Sequence, residues 1–309
     1  MREQTLILFQ CHDLNPATLA AFEHLHASVA GRYPLEIMID RKADNGELPA
    51  LPVPVFDFDS RQFNTWGFPT HGDSMLPGHC HFPLLRYAQL REFQFKHIWV
   101  VEYDVRFSGD WREFFDHFED SDADLLCCHL KDREHDPGWY FWDTYQAPAG
   151  PDADGVLLRS FLVVSRYSRA AIESTISFYQ QGGKGHQEVV LPMAAYLAGL
   201  VVQDINWSCA DGRRRGDGGR RFYTTYSDLD GRIEYFGTVR WRPALSTAPR
   251  KGQRLYHPVK SISRGQSAVN ENTVADKLQY IVRLIQAHIS RVVRKIDRRP
   301  LRLQRARPR

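Results

Sequence analysis

The sequence predicts an α/β fold, a mainly parallel central sheet flanked by helices, with a basic amphipathic helix at the C-terminal end. Three observations carry this expectation. Apolar runs of strand length alternate with segments of helical period over residues 5–205. The opening segments, Leu6–Gln10, Pro16–Val29 and Leu35–Asp40, have the order and length of a strand–helix–strand unit. The run Ile98-Trp99-Val100-Val101 is apolar without a break, as in a strand covered on both faces.

Each element has its own signal. Asn15-Pro16 opens the first helix, with Pro16 in its first turn; Leu19, Phe22, Leu25 and Val29 give it an apolar face, and Gly31 and Pro34 end it. Val53–Phe58 reads as a third strand, and Pro54 argues that it lies near an edge or begins late. Residues 60–82 look like a loop. Phe82-Pro83 opens a helix through Leu84, Leu85, Tyr87, Ala88, Leu90 and Phe93. Asp110 caps a helix carrying Trp111, Phe114, Phe115 and Phe118. Asp124–Leu130, Ser160–Ser165 and Leu200–Ile205 read as strands, and Arg169–Gln180 as a helix ended by Gly182-Gly183. His186-Gln187-Glu188 begins another helix through Val190, Ala194 and Leu197. The domain so outlined covers residues 1–262, leaving 263–309 as helix and tail.

The 309 residues are 43% hydrophobic and 25% charged, ordinary values for a water-exposed globular chain. No apolar run is long enough to cross a bilayer. Leu6–Phe9 is too short for a signal-peptide core, so a cytoplasmic location is expected. Five cysteines without a C-x-x-C pair fit buried thiols in a reducing compartment better than a zinc site. The net charge of +3 is uneven: residues 271–309 hold eleven Lys/Arg against three Asp/Glu. Within that tail Val274, Leu278, Ile281, Ile285, Ile289, Val292 and Ile296 form one helical stripe flanked by basic residues. Residues 273–299 therefore suit an anionic membrane surface, such as the inner face of the plasma membrane. Packing on the same domain or on a second subunit is the rival; oligomeric state is open. One aromatic in the tail, Tyr280, argues against nucleic acid as a partner. The Gly- and Arg-rich run 212–221 reads as a phosphate flap, a nucleic-acid contact or, most simply, a disordered surface loop.

The chemistry points to carboxylates, because no P-loop, G-x-G-x-x-G, H-E-x-x-H or G-x-S-x-G is present. The apolar run ends in Glu102-Tyr103-Asp104. On a strand those two acids share a face at its carboxyl end, where open α/β sheets bind ligands, and together they suit a divalent cation. A half-exposed strand continuing in alternation from Val101 to Ser108 would look the same. Asp40 ends the second strand, where an aspartate reads as a turn former. Residues 138–145 are aromatic. Trp139, Trp142 and Tyr145 could stack on sugar rings or form a hydrophobic cluster under a long loop.

In layout, residues 5–262 resemble the GT-A class of nucleotide-sugar glycosyltransferases: a strand–helix–strand opening, an acid pair after a central strand, a later carboxylate at a helix start, and a late histidine. The resemblance makes Glu102 and Asp104 the counterpart of an Asp-x-Asp motif, with Glu in place of the first Asp. Glu188 takes the place of the later carboxylate and His257 that of the histidine. It implies a Rossmann-like sheet, Mn²⁺ or Mg²⁺ held by Asp104, Glu102 and His257, and a nucleotide-sugar donor contacted by Asp40, Glu102, Asp104 and Lys260. Glu188 is then the expected base, and a glycan or lipid-linked molecule the acceptor. For Glu188 the plain alternative is a first-turn acid facing the helix dipole; for His257, a surface histidine; for Lys260, a solvated lysine. A nucleotidyltransferase, or a non-catalytic protein that binds through its basic helix, are the rival functions.

Overall fold

A computed structural model describes residues 5–42, 48–76, 78–91, 95–134, 136–137, 139–148, 155–206, 222–223, 237–241, 244–249 and 252–260, with Val282 and Ile285. Strands β1 (Thr5–Cys11) and β2 (Leu35–Asp40) run parallel, joined through helix α1 (Pro16–Val29). The Asn15 side chain accepts from the amides of Ala17 and Thr18, at 2.9 and 3.0 Å, and so satisfies two otherwise orphaned helix donors. Ala21, Phe22, Leu25 and Val29 face the sheet, as their spacing requires. Gly31, at φ +74°, makes the left-handed turn that ends the helix connection.

Strand β3 (Val55–Phe58) pairs in parallel with β2 and forms one edge of the sheet. It begins after Pro54, which has no amide to offer a ladder. Helix α2 (Phe82–Leu90) leads to β4 (His97–Glu102), which lies parallel to β1. Then come β5 (Arg106–Phe107), α3 (Trp111–His117), β6 (Leu125–Asp132), β7 (Leu158–Ser168), α4 (Arg169–Gln180), α5 (Gln187–Leu197), β8 (Val202–Asp204) and β9 (Leu255–Tyr256). The large sheet has the order β3-β2-β1-β4-β7-β6-β8. Only β7 runs against the rest, antiparallel to both β4 and β6. The described part of the connection from β6 to β7 holds a single 3-10 turn, Trp142–Thr144, and an antiparallel return needs no crossover helix.

Both sheet faces are covered. On one, Trp99 of β4 meets Phe114, Phe115 and Phe118 at ring-centroid distances of 5.3 to 5.6 Å. On the other, Ile98 and Val100 join Phe82, Leu85, Tyr179 and Val190 from α2, α4 and α5. Two-sided burial explains the unbroken apolar run; each large side chain so buried stabilises the fold by roughly 1.5–3 kcal/mol.

One expectation changes. Strand β4 stops at Glu102, and Tyr103-Asp104 turn away from the sheet. The alternation from Val101 to Ser108 is therefore not one strand. Its second half, β5, pairs antiparallel with β9 in a separate two-stranded sheet, Arg106 opposite Tyr256 and Phe107 opposite Leu255. The basic helix expected over 273–299 and the 212–221 run lie outside the described residues, except Val282 and Ile285, which are helical and exposed. Among the described residues no helix is long and apolar enough to cross a membrane.

Candidate active site

The acid pair is fixed from below by β4 and from the side by Arg106. The Arg106 guanidinium donates to the carbonyls of Tyr103, Val105 and Ala17, at 2.7, 2.9 and 3.0 Å, which ties the turn to the start of α1. The small sheet brings in the far segment. Ser108 N donates to Arg254 O at 2.9 Å, and Val259 N to Asp104 O at 2.8 Å. His257 follows directly after β9 and lies beside the acids.

His257 Nε2 stands 3.4 Å from Asp104 Oδ1 and 3.8 Å from Glu102 Oε2. Its other ring nitrogen, Nδ1, lies 2.7 Å from Arg240 O. A carbonyl can only accept, so Nδ1 carries a proton and donates, which aims Nε2 at the carboxylates. Lys260 Nζ lies 3.2 Å from Asp104 Oδ2 and over the Tyr103 ring. Asp104 Oδ1 itself is buried, and among the described residues it has no well-formed hydrogen bond, only the ion-pair contact with His257 Nε2.

Charge follows geometry. Burial, and next to it the Asp104 charge, push the Glu102 carboxyl up to about 7. Burial would raise Asp104 as well, but His257 and Lys260 override it and hold that carboxyl at about 2. Burial lowers the His257 pKa, and the two carboxylates more than offset this, so the net shift is upward.

Ligand atoms of Glu102, Asp104 and His257 lie within 4.8 Å of one another, the one such group among the described residues. Two carboxylate oxygens and an imidazole nitrogen suit Mn²⁺ or Mg²⁺ better than a thiophilic metal. The orphaned Asp104 oxygen is the feature that a cation would satisfy. Cys11, Cys80, Cys127 and Cys128 are free thiols and belong to no such group.

Glu188 is the second residue of α5, whose N-cap His186 accepts the Glu188 amide on Nδ1 at 3.3 Å. The half-buried Cys80 thiol is pushed up first by desolvation and then by the charges of Glu102 and, less strongly, Glu188, so it lies within electrostatic reach of both. Asp40 is buried and its Oδ1 accepts from the amides of Lys42 and Ser60, at 3.0 and 2.9 Å, which is the work of a turn former. Trp139 and Trp142 are 7% and 3% exposed and pack on Val189 and Met193 of α5. Trp142 Nε1 donates to Asp136 O at 2.8 Å. These two rings form a hydrophobic cluster under the loop and present no open face; Tyr145 is half-buried against the same cluster.

The sequence reading passed over several neighbours. Gln10, Cys80, His81 and Gln187 line a small cavity together with Glu102. Gln10 sits opposite Glu102 at the end of β1, and a polar residue closing an apolar strand was the available signal. His129 and Trp241 gave none, because their relevance depends on long-range pairing.

No protein-family model and no curated protein matches the sequence. Among solved structures, the chain is similar to galactosyltransferase LgtC in complex with donor and acceptor sugar analogues, at 14% identity over 64% of this chain and 72% of that one, with a TM-score of 0.35. It is similar to mouse xyloside xylosyltransferase 1 at 12% identity, over 65% of this chain and 83% of that one, with a TM-score of 0.34. A protein from Bacillus anthracis assigned as a glucose-1-phosphate thymidylyltransferase shows 8% identity, over 65% and 86% of the two chains, with a TM-score of 0.36.

Proposed function

We propose that the protein is a metal-dependent glycosyltransferase that moves a sugar from a nucleotide-sugar donor to a glycan or lipid-linked acceptor. The observation that carries this reading is the convergence of Glu102, Asp104 and His257 around a buried, unsatisfied carboxylate oxygen at the carboxyl end of a parallel strand. Asp104, Glu102 and His257 would hold Mn²⁺ or Mg²⁺. When bound, the cation neutralises the departing nucleoside diphosphate.

The chain's own residues supply the rest. Lys260 stands at the rim, 39% exposed, with an ammonium able to turn from Asp104 to a phosphate oxygen. In an inverting reaction the bond from the anomeric carbon to the diphosphate breaks, and the acceptor oxygen takes its place. Glu188 receives the acceptor hydroxyl proton on its carboxylate. Asp40 would meet the nucleoside through Oδ2, since Oδ1 accepts from the turn amides of Lys42 and Ser60.

Thermal melting with Mn²⁺ and a panel of UDP-, GDP- and CMP-sugars tests the proposal. At a hundredfold excess over Kd one donor raises the midpoint by about 5 °C or more, a shift lost in Asp104→Ala. Silence across the panel sinks the reading and favours a binding protein. A response to nucleoside triphosphates with sugar phosphates, in place of nucleotide sugars, favours nucleotidyl transfer.

The peripheral membrane role rests on the basic stripe over residues 273–299. Sedimentation with vesicles of anionic and neutral lipid, for the full chain and a chain ending at residue 270, tests it. Equal binding by the two chains removes the claim.

A further inference from the structure

Trp241 is the exposed tryptophan beside the ligand cluster, 43% accessible. It follows Arg240, whose carbonyl fixes His257 Nδ1. Its ring meets Tyr140 at 6.3 Å and 63°. Tyr140 meets Phe141 at 5.4 Å, and Phe141 lies flat on the His186 imidazole at 4.0 Å and 10°. His186 in turn caps the helix that carries Glu188. The aromatic row therefore runs from the backbone that orients His257 to the start of α5. One end adjoins the carbonyl that orients His257, and the other caps the helix that carries the proposed base.

We propose that Trp241 and Tyr140 form the acceptor subsite, a stacking platform for a neutral carbohydrate ring. Three features point to that ligand. Trp241 is accessible and Tyr140 and Phe141 are half-buried, in contrast to the enclosed Trp139 and Trp142. Pyranose rings carry one apolar C–H face, which matches an exposed indole, and their hydroxyls remain free to reach a base such as Glu188. The four rings themselves carry no charge, because burial keeps His186 neutral, its pKa down at about 3. The sugar-facing role expected of residues 138–145 thus passes to Tyr140, which is joined by a residue from a distant part of the chain.

This inference rests on the proposed glycosyl transfer, and the experiment separates their failures. Full-length protein with Mn²⁺ is applied to an array of neutral and anionic glycans, as wild type, Trp241→Ala, Trp241→Phe and Tyr140→Ser. The wild type should retain a subset of neutral glycans, Trp241→Ala should lose about tenfold in affinity, and Trp241→Phe should recover most of it. Tyr140→Ser reports on the same platform from a separate segment and should also weaken retention. The proposal is overturned by a wild type that retains no glycan, by unchanged retention in Trp241→Ala, or by a Phe variant as weak as the Ala variant. Mn²⁺ binding by the wild type, read from the free-ion electron paramagnetic resonance signal, decides the parent reading. A protein that takes Mn²⁺ but no glycan loses the subsite alone, and one that takes no Mn²⁺ loses the function.

Discussion

His257 Nε2 faces Asp104 Oδ1 at 3.4 Å because a two-residue strand, β9, is seated on β5 beside the acid pair. The imidazole is set by its donation to Arg240 O, so its replacement removes a proposed ligand and leaves Lys260 as the one neutralising neighbour described beside the two carboxylates. His257→Ala should weaken Mn²⁺ binding about 10- to 100-fold. Titration of the free-ion resonance signal checks this; unchanged affinity would remove His257 from the ligand set.

The segment that orients His257 is pinned from the opposite side. His129 Nε2 donates to Val239 O at 2.8 Å, and the His129 amide donates to Tyr223 OH at 2.7 Å. Tyr223 OH donates to the Asp204 carboxylate at 2.7 Å. Val239 bridges His257 in backbone pairing. His129→Ala should lower Mn²⁺ affinity several-fold, by about 1 kcal/mol, and His129→Gln should restore part of it. A drop in melting temperature with unaltered Mn²⁺ affinity would show that the network supports only the fold.

Arg166 is 1% exposed and donates to the carbonyls of Phe118, Ser121 and Ala123, at 2.6, 3.1 and 2.7 Å. It closes the end of α3 and the turn beyond it. Arg166→Met leaves those buried acceptors unsatisfied and should cost about 3 kcal/mol or more in chemical denaturation. A loss below 1 kcal/mol would mean that water replaces the guanidinium.

Acid should destabilise the protein through buried histidines that are not partners of the acid pair. Burial lowers His79 to about 4 and both His97 and His186 to about 3, from 6.5. Below pH 6.5 the unfolded chain takes up protons that the folded chain refuses. Stability is therefore full above 6.5 and drains as pH falls towards 3, on the order of 1 kcal/mol per pH unit for each group. Urea midpoints at pH 7, 5.5 and 4.5 measure the slope, and His97→Gln should flatten it. A profile flat from pH 7 to 4.5 would contradict the neutral burial of these rings.

Local chemistry made much of the fold readable. Asn15-Pro16, Asp110 and the unbroken Ile98–Val101 run each state a boundary or a burial pattern on their own. The α4 limits, Arg169–Gln180, follow from Ser168 as cap and the glycine pair beyond. The direction of β7 was not readable, because the absence of a crossover helix is a property of the whole connection. At the site, the residues were legible but the reason for their meeting was not. Glu102 and Asp104 do not converge by strand alternation, since the chain turns at Tyr103; they converge on a histidine delivered by pairing across a long separation. The Trp139 and Trp142 rings carried an aromatic signal, and composition alone cannot tell a ring that faces solvent from one that faces α5.

The β5–β9 sheet holds two residue pairs, against five and six in the ladders of β1. Every strand of the large sheet, through β8, can find its partners before residues 252–260 arrive, and closing that long loop is slow and weakly repaid. The cluster is therefore expected to form late in folding and to open early. Amide exchange should register this as Ser108 and Val259 exchanging faster than the β1 and β4 amides. A cation gripping residues from both sides would act as a latch on that seam, so that loading of the candidate site and the closure of the chain become one event.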